Sequence, residues 1–256
     1  MNKSLRNPLR LRQALAIAAL TLTASFAQAT SFLGYDMQLV GSASVLDPLN
    51  LQMTPNATDN VGAAWVTTAL STTQDFSANF SFSISGTPTI ANGIAFVLQS
   101  GGTSAIGSGG GGIGLEGLDA VASIIHTFGN NHVGFTGSGD PFSVQDAPTD
   151  LGAAMSITGF QTVSYDSIGK MMFMTGIITV DGTDFEVSDV LSVDLEARFG
   201  SSMYVGFTGA TGSLSSDQRI TDFSLAPAPV PEPETYALML AGLGLVGWQL
   251  RRRRHA

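Results

Sequence analysis

The chain holds few residues with chemical potential. His126 and His132 stand six positions apart, and Asp194 and Glu196 stand two apart. Neutral imidazoles that converge can take a transition ion, and two carboxylates flanking a glycosidic bond can hydrolyse it. The plainer reading of both histidines is as ordinary strand or loop residues. Asp194 and Glu196 would share one face of a strand, because side chains alternate along it, and they fit an acidic surface beside the Tyr204 strand better than a hydrolytic pair. The glycine tract from Gly101 to Gly117 lacks Gly-Lys-Ser and Gly-Lys-Thr, so it reads as a flexible or ligand-bordering loop and not as a phosphate cradle. Cysteine is absent, which removes thiol nucleophiles, Cys-ligated zinc and disulfides. No Ser-His-Asp set can be assigned, since triads are defined by geometry and not by sequence position.

The elements that must carry these residues are strands. Phe80-Ser-Phe82-Ser-Ile84-Ser alternates apolar and polar and predicts a half-buried strand. Ile94 to Leu98 is apolar throughout, and Gly93 precedes it, as expected of a short strand covered on both faces. Asp181-Gly182, set between Val180 and Thr183, predicts a two-residue hairpin turn. Met203 to Phe207 alternates again, and Ile220 to Leu225 supplies one more strand before a run of prolines. Outside the termini no window has a helical period. The expectation is an all-β, two-sheet antiparallel sandwich of about a dozen strands. With 44% apolar residues the chain is not a disordered polyanion. Between Thr30 and Pro229, 18 acidic residues face three cations, Lys170, Arg198 and Arg219, a balance of −15. That balance repels phosphate backbones and argues against nucleic acid as a partner.

The two ends read as processing segments. A basic start, an apolar run from Ala14 to Leu22 and the pattern Ala27-Gln28-Ala29 predict a signal peptide over residues 1–29, cut by signal peptidase after Ala29. That apolar run is too short to cross a hydrocarbon core of about 30 Å. A Pro-rich spacer over 226–234 must be extended and exposed. Thr235 to Leu250 is free of charge, and Arg251 to Arg254 follow it. A single hydrophobic helix there, within a tail spanning 235–256, would leave its arginines on the cytoplasmic side. The motif Val230-Pro231-Glu232-Pro233, the apolar run and the arginine cluster, in that order, resemble PEP-CTERM sorting signals. The resemblance implies a transient inner-membrane anchor and recognition by an exosortase-type enzyme at Pro231, Glu232 and Pro233. It also implies delivery to the cell surface or extracellular matrix of a Gram-negative bacterium. A simple membrane anchor would not need the proline motif.

The middle, residues 30–225, resembles the legume or L-type lectin domain, a jelly-roll sandwich of the concanavalin A-like class. Five segments carry the likeness in family order. They are Ala64-Trp65 with Phe76 to Phe82, Ala91-Asn92-Gly93-Ile94-Ala95-Phe96, Gly109 to Leu115, Val121 to Gly134, and Tyr204 to Gly212. The resemblance implies a sugar pocket lined by Asn92, Gly110, Gly111, Gly112, Asn130 and Asn131. Asn92 stands where the family has a carboxylate, and it keeps an acceptor oxygen without the charge that strengthens its bonds. Calcium is the cofactor the family implies. Ile124 and His126 occupy the positions of two carboxylate ligands, however, and Asn130, Asn131 and His132 remain as metal candidates, a poor donor set for a hard cation. The glycosidases that share this sandwich carry Glu-x-Asp-x-x-Glu, a pattern absent here. The expected function is therefore weak binding of a surface polysaccharide or other glycan. The alternatives are a structural matrix protein that binds nothing and, further off, a glycoside hydrolase.

Overall fold

The computed structural model describes residues 30–127, 131–144, 151 and 154–227, which form fifteen β-strands. One sheet runs in the order β1 (Thr30–Phe32), β2 (Tyr35–Gly41), β5 (Val61–Val66), β14 (Ser202–Ala210), β8 (Gly93–Gln99), β9 (Ala120–His126) and β10 (His132–Thr136), with the short β6 (Leu70–Ser71) pairing β14. The other runs β13 (Thr183–Ser192), β12 (Met171–Val180), β11 (Ser156–Asp166), β7 (Phe76–Ser85), β15 (Asp217–Pro227), β4 (Asn50–Thr54) and β3 (Ser44–Asp47). Neighbouring strands are antiparallel throughout both sheets. The count exceeds a dozen because β1, β3 and β6 have only two to four residues, too few to display a period.

Alternation places the core. In β7 the residues Phe76, Ala78, Phe80, Phe82 and Ile84 are all buried, while the residues between them are only partly so. Phe80 stacks on Phe96 of β8 at 5.5 Å and meets Phe207 of β14 edge-on at 5.3 Å, which joins the two sheets through aromatic faces and edges. A second apolar cluster lies on the other face of the eight-stranded sheet. There Trp65, Val97 and Ile124 pack against Ile113 and Leu115 of the glycine-rich loop, and Trp65 Nε1 donates to the Ala105 carbonyl at 2.9 Å. Strand β8 is thus covered on both faces, as its unbroken apolar run predicts.

The Asp181-Gly182 turn joins β12 to β13 with positive φ at both residues, 47° and 88°. The stretch around Asp194 departs from the strand expectation. It forms a short helix, α1 (Leu195–Phe199), and Asp194 is its N-cap, accepting from the Ala197 amide at 3.0 Å. A cap followed by five residues leaves no helical period to detect. Residues 1–29 with Ala29, the sorting motif at Pro231, Glu232 and Pro233, the apolar stretch 235–250 and Asn130 all lie outside the described residues. Among the described residues no helix is long and apolar enough to cross a membrane.

Candidate functional site

The site grows from the start of β8. The Asn92 amide donates to the Ala210 carbonyl at 2.8 Å, and the Asn92 carbonyl accepts from the Thr127 amide at 2.9 Å. The Ala91–Asn92 peptide bond is cis. Gly93 follows at φ 133°, and a Cβ there would lie 2.0 Å from the Ile125 carbonyl oxygen, so only glycine fits between β8 and β9. Asn92 is 5% exposed, yet its Oδ1 has no hydrogen-bond partner among the described residues. A buried acceptor in that state costs about 1–3 kcal/mol until something donates to it.

Gly212 packs against that oxygen, with Gly110 close by. A Cβ on Gly212 would sit 3.0 Å from Asn92 Oδ1 and 3.4 Å from Gly110 Cα. Gly110 to Gly112 form a single 3-10 turn, and the Gly110 amide reaches the Thr211 carbonyl at 3.3 Å. The glycine tract is therefore an ordered turn at this point, with further bonds from Ile113 N to Gly110 O at 3.0 Å and from Gly114 N to Ser108 O at 2.8 Å.

The β9–β10 hairpin supplies the next wall. His126 pairs with Gly93 on one side and with His132 on the other. The two imidazoles are buried and stacked, with centroids 5.4 Å apart and planes 5° from parallel. His126 Nε2 bonds the Gly111 carbonyl at 3.0 Å, and His132 Nε2 bonds the Pro141 carbonyl at 3.1 Å. Phe142, half exposed, meets His126 edge-on at 5.3 Å, and a Cβ on Gly111 would come within 2.9 Å of the Phe142 ring. Thr127 Oγ1 and Asn131 Oδ1 are buried and without a hydrogen-bond partner.

The structure thus brings Asn92 together with Gly110, Gly111 and Gly112, and it places His126 and His132 against the same turn. Asn131 lies on the hairpin one residue before His132. Sequence reasoning missed Gly212, Thr127 and Phe142. Phe142 sits in a turn held by its own amide donating to Asp140 Oδ1 at 2.9 Å, a side-chain turn for which Asp-Pro-Phe was the available signal.

The divalent-ion centre that the resemblance implies does not fit these residues. Ile124, in one ligand position, is packed in the second apolar cluster and offers no donor. Carbonyl oxygens only accept, so the histidine Nε2 atoms bonded to them carry protons and cannot ligate. A metal lies in the plane of the imidazole that binds it, and two stacked, parallel rings share no such point. No group of three or more His, Asp or Glu side chains that could hold an ion occurs among the described residues. Asp194, tied to its helix and to Lys170 at 3.3 Å, adds no carboxylate here.

Two facing antiparallel sheets, with the glycine-rich loop packed over the outer face of one of them, define a concanavalin A-like sandwich. Residues 22–237 match the legume lectin domain, and the chain belongs to that family. Residues 229–254 match the PEP-CTERM protein-sorting motif. Similar solved structures include a lectin from Bauhinia forficata in complex with GalNAc, with TM-score 0.61 and 23% identity, covering 74% of this chain and 91% of that one. The Lotus tetragonolobus seed lectin gives TM-score 0.63 and 19% identity over 74% and 92%. Arcelin-5, a lectin-like defense protein from Phaseolus vulgaris, gives TM-score 0.62 and 18% identity over 77% and 94%. No curated protein matches the chain.

Proposed function

We propose that this is an exported protein that binds a neutral surface polysaccharide or related glycan, weakly and without a metal. The pocket is the one bounded by Asn92, Gly110 to Gly112, Asn131, Gly212 and Phe142. The observation that carries this reading is Asn92 Oδ1, a buried acceptor without a partner, with Gly212 beside it. A sugar hydroxyl that reached that oxygen, on a small shift of the covering Gly212 segment, would remove its desolvation cost. The half-exposed Phe142 ring beside the turn offers an apolar face to the C–H side of a pyranose. None of these side chains is charged, which suits a neutral sugar better than an anionic one. The neighbour crystallised with GalNAc supports a glycan as the ligand class, and the family favours a binding protein over an enzyme. Asn130 belongs to this proposal as a further lining residue.

The same proposal covers the ends. Signal peptidase releases the chain after Ala29, the apolar stretch 235–250 holds it briefly in the inner membrane, and an exosortase-type enzyme acts at Pro231, Glu232 and Pro233. The domain then resides at the cell surface or in the matrix around it. A second reading, a structural matrix protein that binds no sugar, is favoured by one specific observation, the apolar Ile124 in a ligand position.

A glycan array probed with the purified protein, once with calcium and once with chelator, separates the two. Saturable binding equal in both arms, lost in Asn92→Ala, is the expected result. Binding only with calcium would overturn the metal-free part, and silence in both arms from folded protein would favour the structural reading.

A further inference from the structure

Two loops pack over the ends of β9 and β10, and both hang on the same pair of side chains. A turn of three successive glycines has more backbone freedom to lose than any other sequence, so something outside it must hold it in place. Its own bonds close the turn on itself, and its backbone bond to the Thr211 carbonyl is long, at 3.3 Å. The anchor from the sheet is His126, whose Nε2 reaches the Gly111 carbonyl at 3.0 Å. The partner ring, His132, holds the Pro141 carbonyl at 3.1 Å and so fixes the peptide that leads into Phe142. Phe142 then closes the circuit by packing its ring against both His126 and the Gly111 backbone. His126 is fully buried and His132 is 4% exposed, which keeps water from competing for these bonds.

We infer that the stacked pair His126–His132 is a metal-free clamp, positioning the glycine turn and the Pro141–Phe142 loop over β9 and β10 where related sandwiches would need a cation. The inference follows from the misfit of the ion centre. Both Nε2 protons are committed to loop carbonyls, and a ring stack spans the place where carboxylates would gather around an ion. His126 and His132 are positioning residues, acting on a ligand through Gly111 and Phe142. The consequence for binding rests on the glycan reading above, while the consequence for loop order does not.

The test exploits chemistry that separates the bond from the ring. His126→Gln brings an amide nitrogen to about the reach of Nε2 and keeps the donor without the ring, whereas His126→Phe keeps the ring without the donor. Hydrogen–deuterium exchange of the purified protein is read at the amides of Gly112, Ile113 and Gly114, all bonded within the turn. Exchange there should be unchanged by EDTA, calcium or zinc in the wild type, faster in His126→Phe, and near wild type in His126→Gln. Whichever glycan the array returns should bind His126→Phe roughly three- to tenfold more weakly, the effect of one lost neutral hydrogen bond, with His126→Gln restoring it. Faster exchange in wild-type protein on adding EDTA, or wild-type exchange in His126→Phe, would overturn the clamp. Expected exchange in a protein that binds no glycan would uphold the clamp and remove the glycan reading. If His126→Phe does not fold, His132→Phe takes its place, read at the amides of Phe142 and Ser143, both bonded to Asp140: faster exchange there upholds the clamp, and wild-type exchange overturns it.

Discussion

Asn92, Gly93 and Gly212 meet at one point but carry different duties. Gly93 is a matter of folding. At φ 133°, with a would-be Cβ 2.0 Å from the Ile125 carbonyl, alanine combines a forbidden conformation with a backbone collision, and neither strand can yield without breaking ladder bonds. Gly93→Ala should therefore lower stability by about 3 kcal/mol or more, seen as a large drop in the urea midpoint. Gly212 is a matter of access. A Cβ there stands 3.0 Å from Asn92 Oδ1, a contact that a small shift relieves, but it adds bulk on the path by which a sugar hydroxyl would reach that oxygen. Gly212→Ala should keep stability within about 1 kcal/mol of the wild type and abolish glycan binding. Equal losses of stability in the two variants would mean that Gly212 serves the fold and not the pocket.

The strands were legible because their signal is local. The alternation in Phe76 to Ser85 and the unbroken run after Gly93 each state which faces are covered, and the Asp181-Gly182 pair states where β12 turns into β13. That turn tests the element in isolation. Gly182 has φ 88° and nothing within 4 Å of a would-be Cβ, so Gly182→Ala meets conformational strain alone and should cost about 1–2 kcal/mol. Sugar binding should be untouched, because the hairpin belongs to the seven-stranded sheet and the pocket to the other. A loss of binding in this variant would show that the two sheets are coupled. The loops were less legible. Family order pointed to Asn92 and to Gly110 through Gly112, but Gly212 and Phe142 reach the pocket from segments far away in sequence, and no spacing rule connects them. The short helix after Asp194 was missed for a related reason, since one cap and a single turn of chain carry no period.

Charge acts on the molecule as a whole. With 18 acidic residues against three cations between Thr30 and Pro229, most carboxylates repel one another, and protonating them relieves that strain on the compact state. Three described carboxylates work the other way, among them Asp194, lowered by the Ala197 amide that it caps; the other two are tied to side chains. Side-chain hydrogen bonds from Arg219, at 2.7 and 2.6 Å, hold Asp217 below the usual carboxylate range against the opposing effect of burial. The Ser167 hydroxyl and amide, at 2.6 and 2.7 Å, do the same for Asp75. A group whose folded pKa is lowered adds stability at pH values above its unfolded pKa, and that stability is lost as pH falls through the folded one. These two sites should thus contribute fully at neutral pH and fade below about pH 4, where the unfolded chain takes up protons that the folded chain refuses. The thermal midpoint should hold or rise slightly as pH falls from about 7 to about 5, because repulsion eases, and then drop. In an Asp75→Asn, Asp217→Asn double variant the midpoint should be lower at pH 7 but should fall less steeply in acid. If the double variant loses its midpoint in acid as steeply as the wild type, these two carboxylates are not what sets the acid limit, and the limit must lie with the remaining carboxylates spread over the surface.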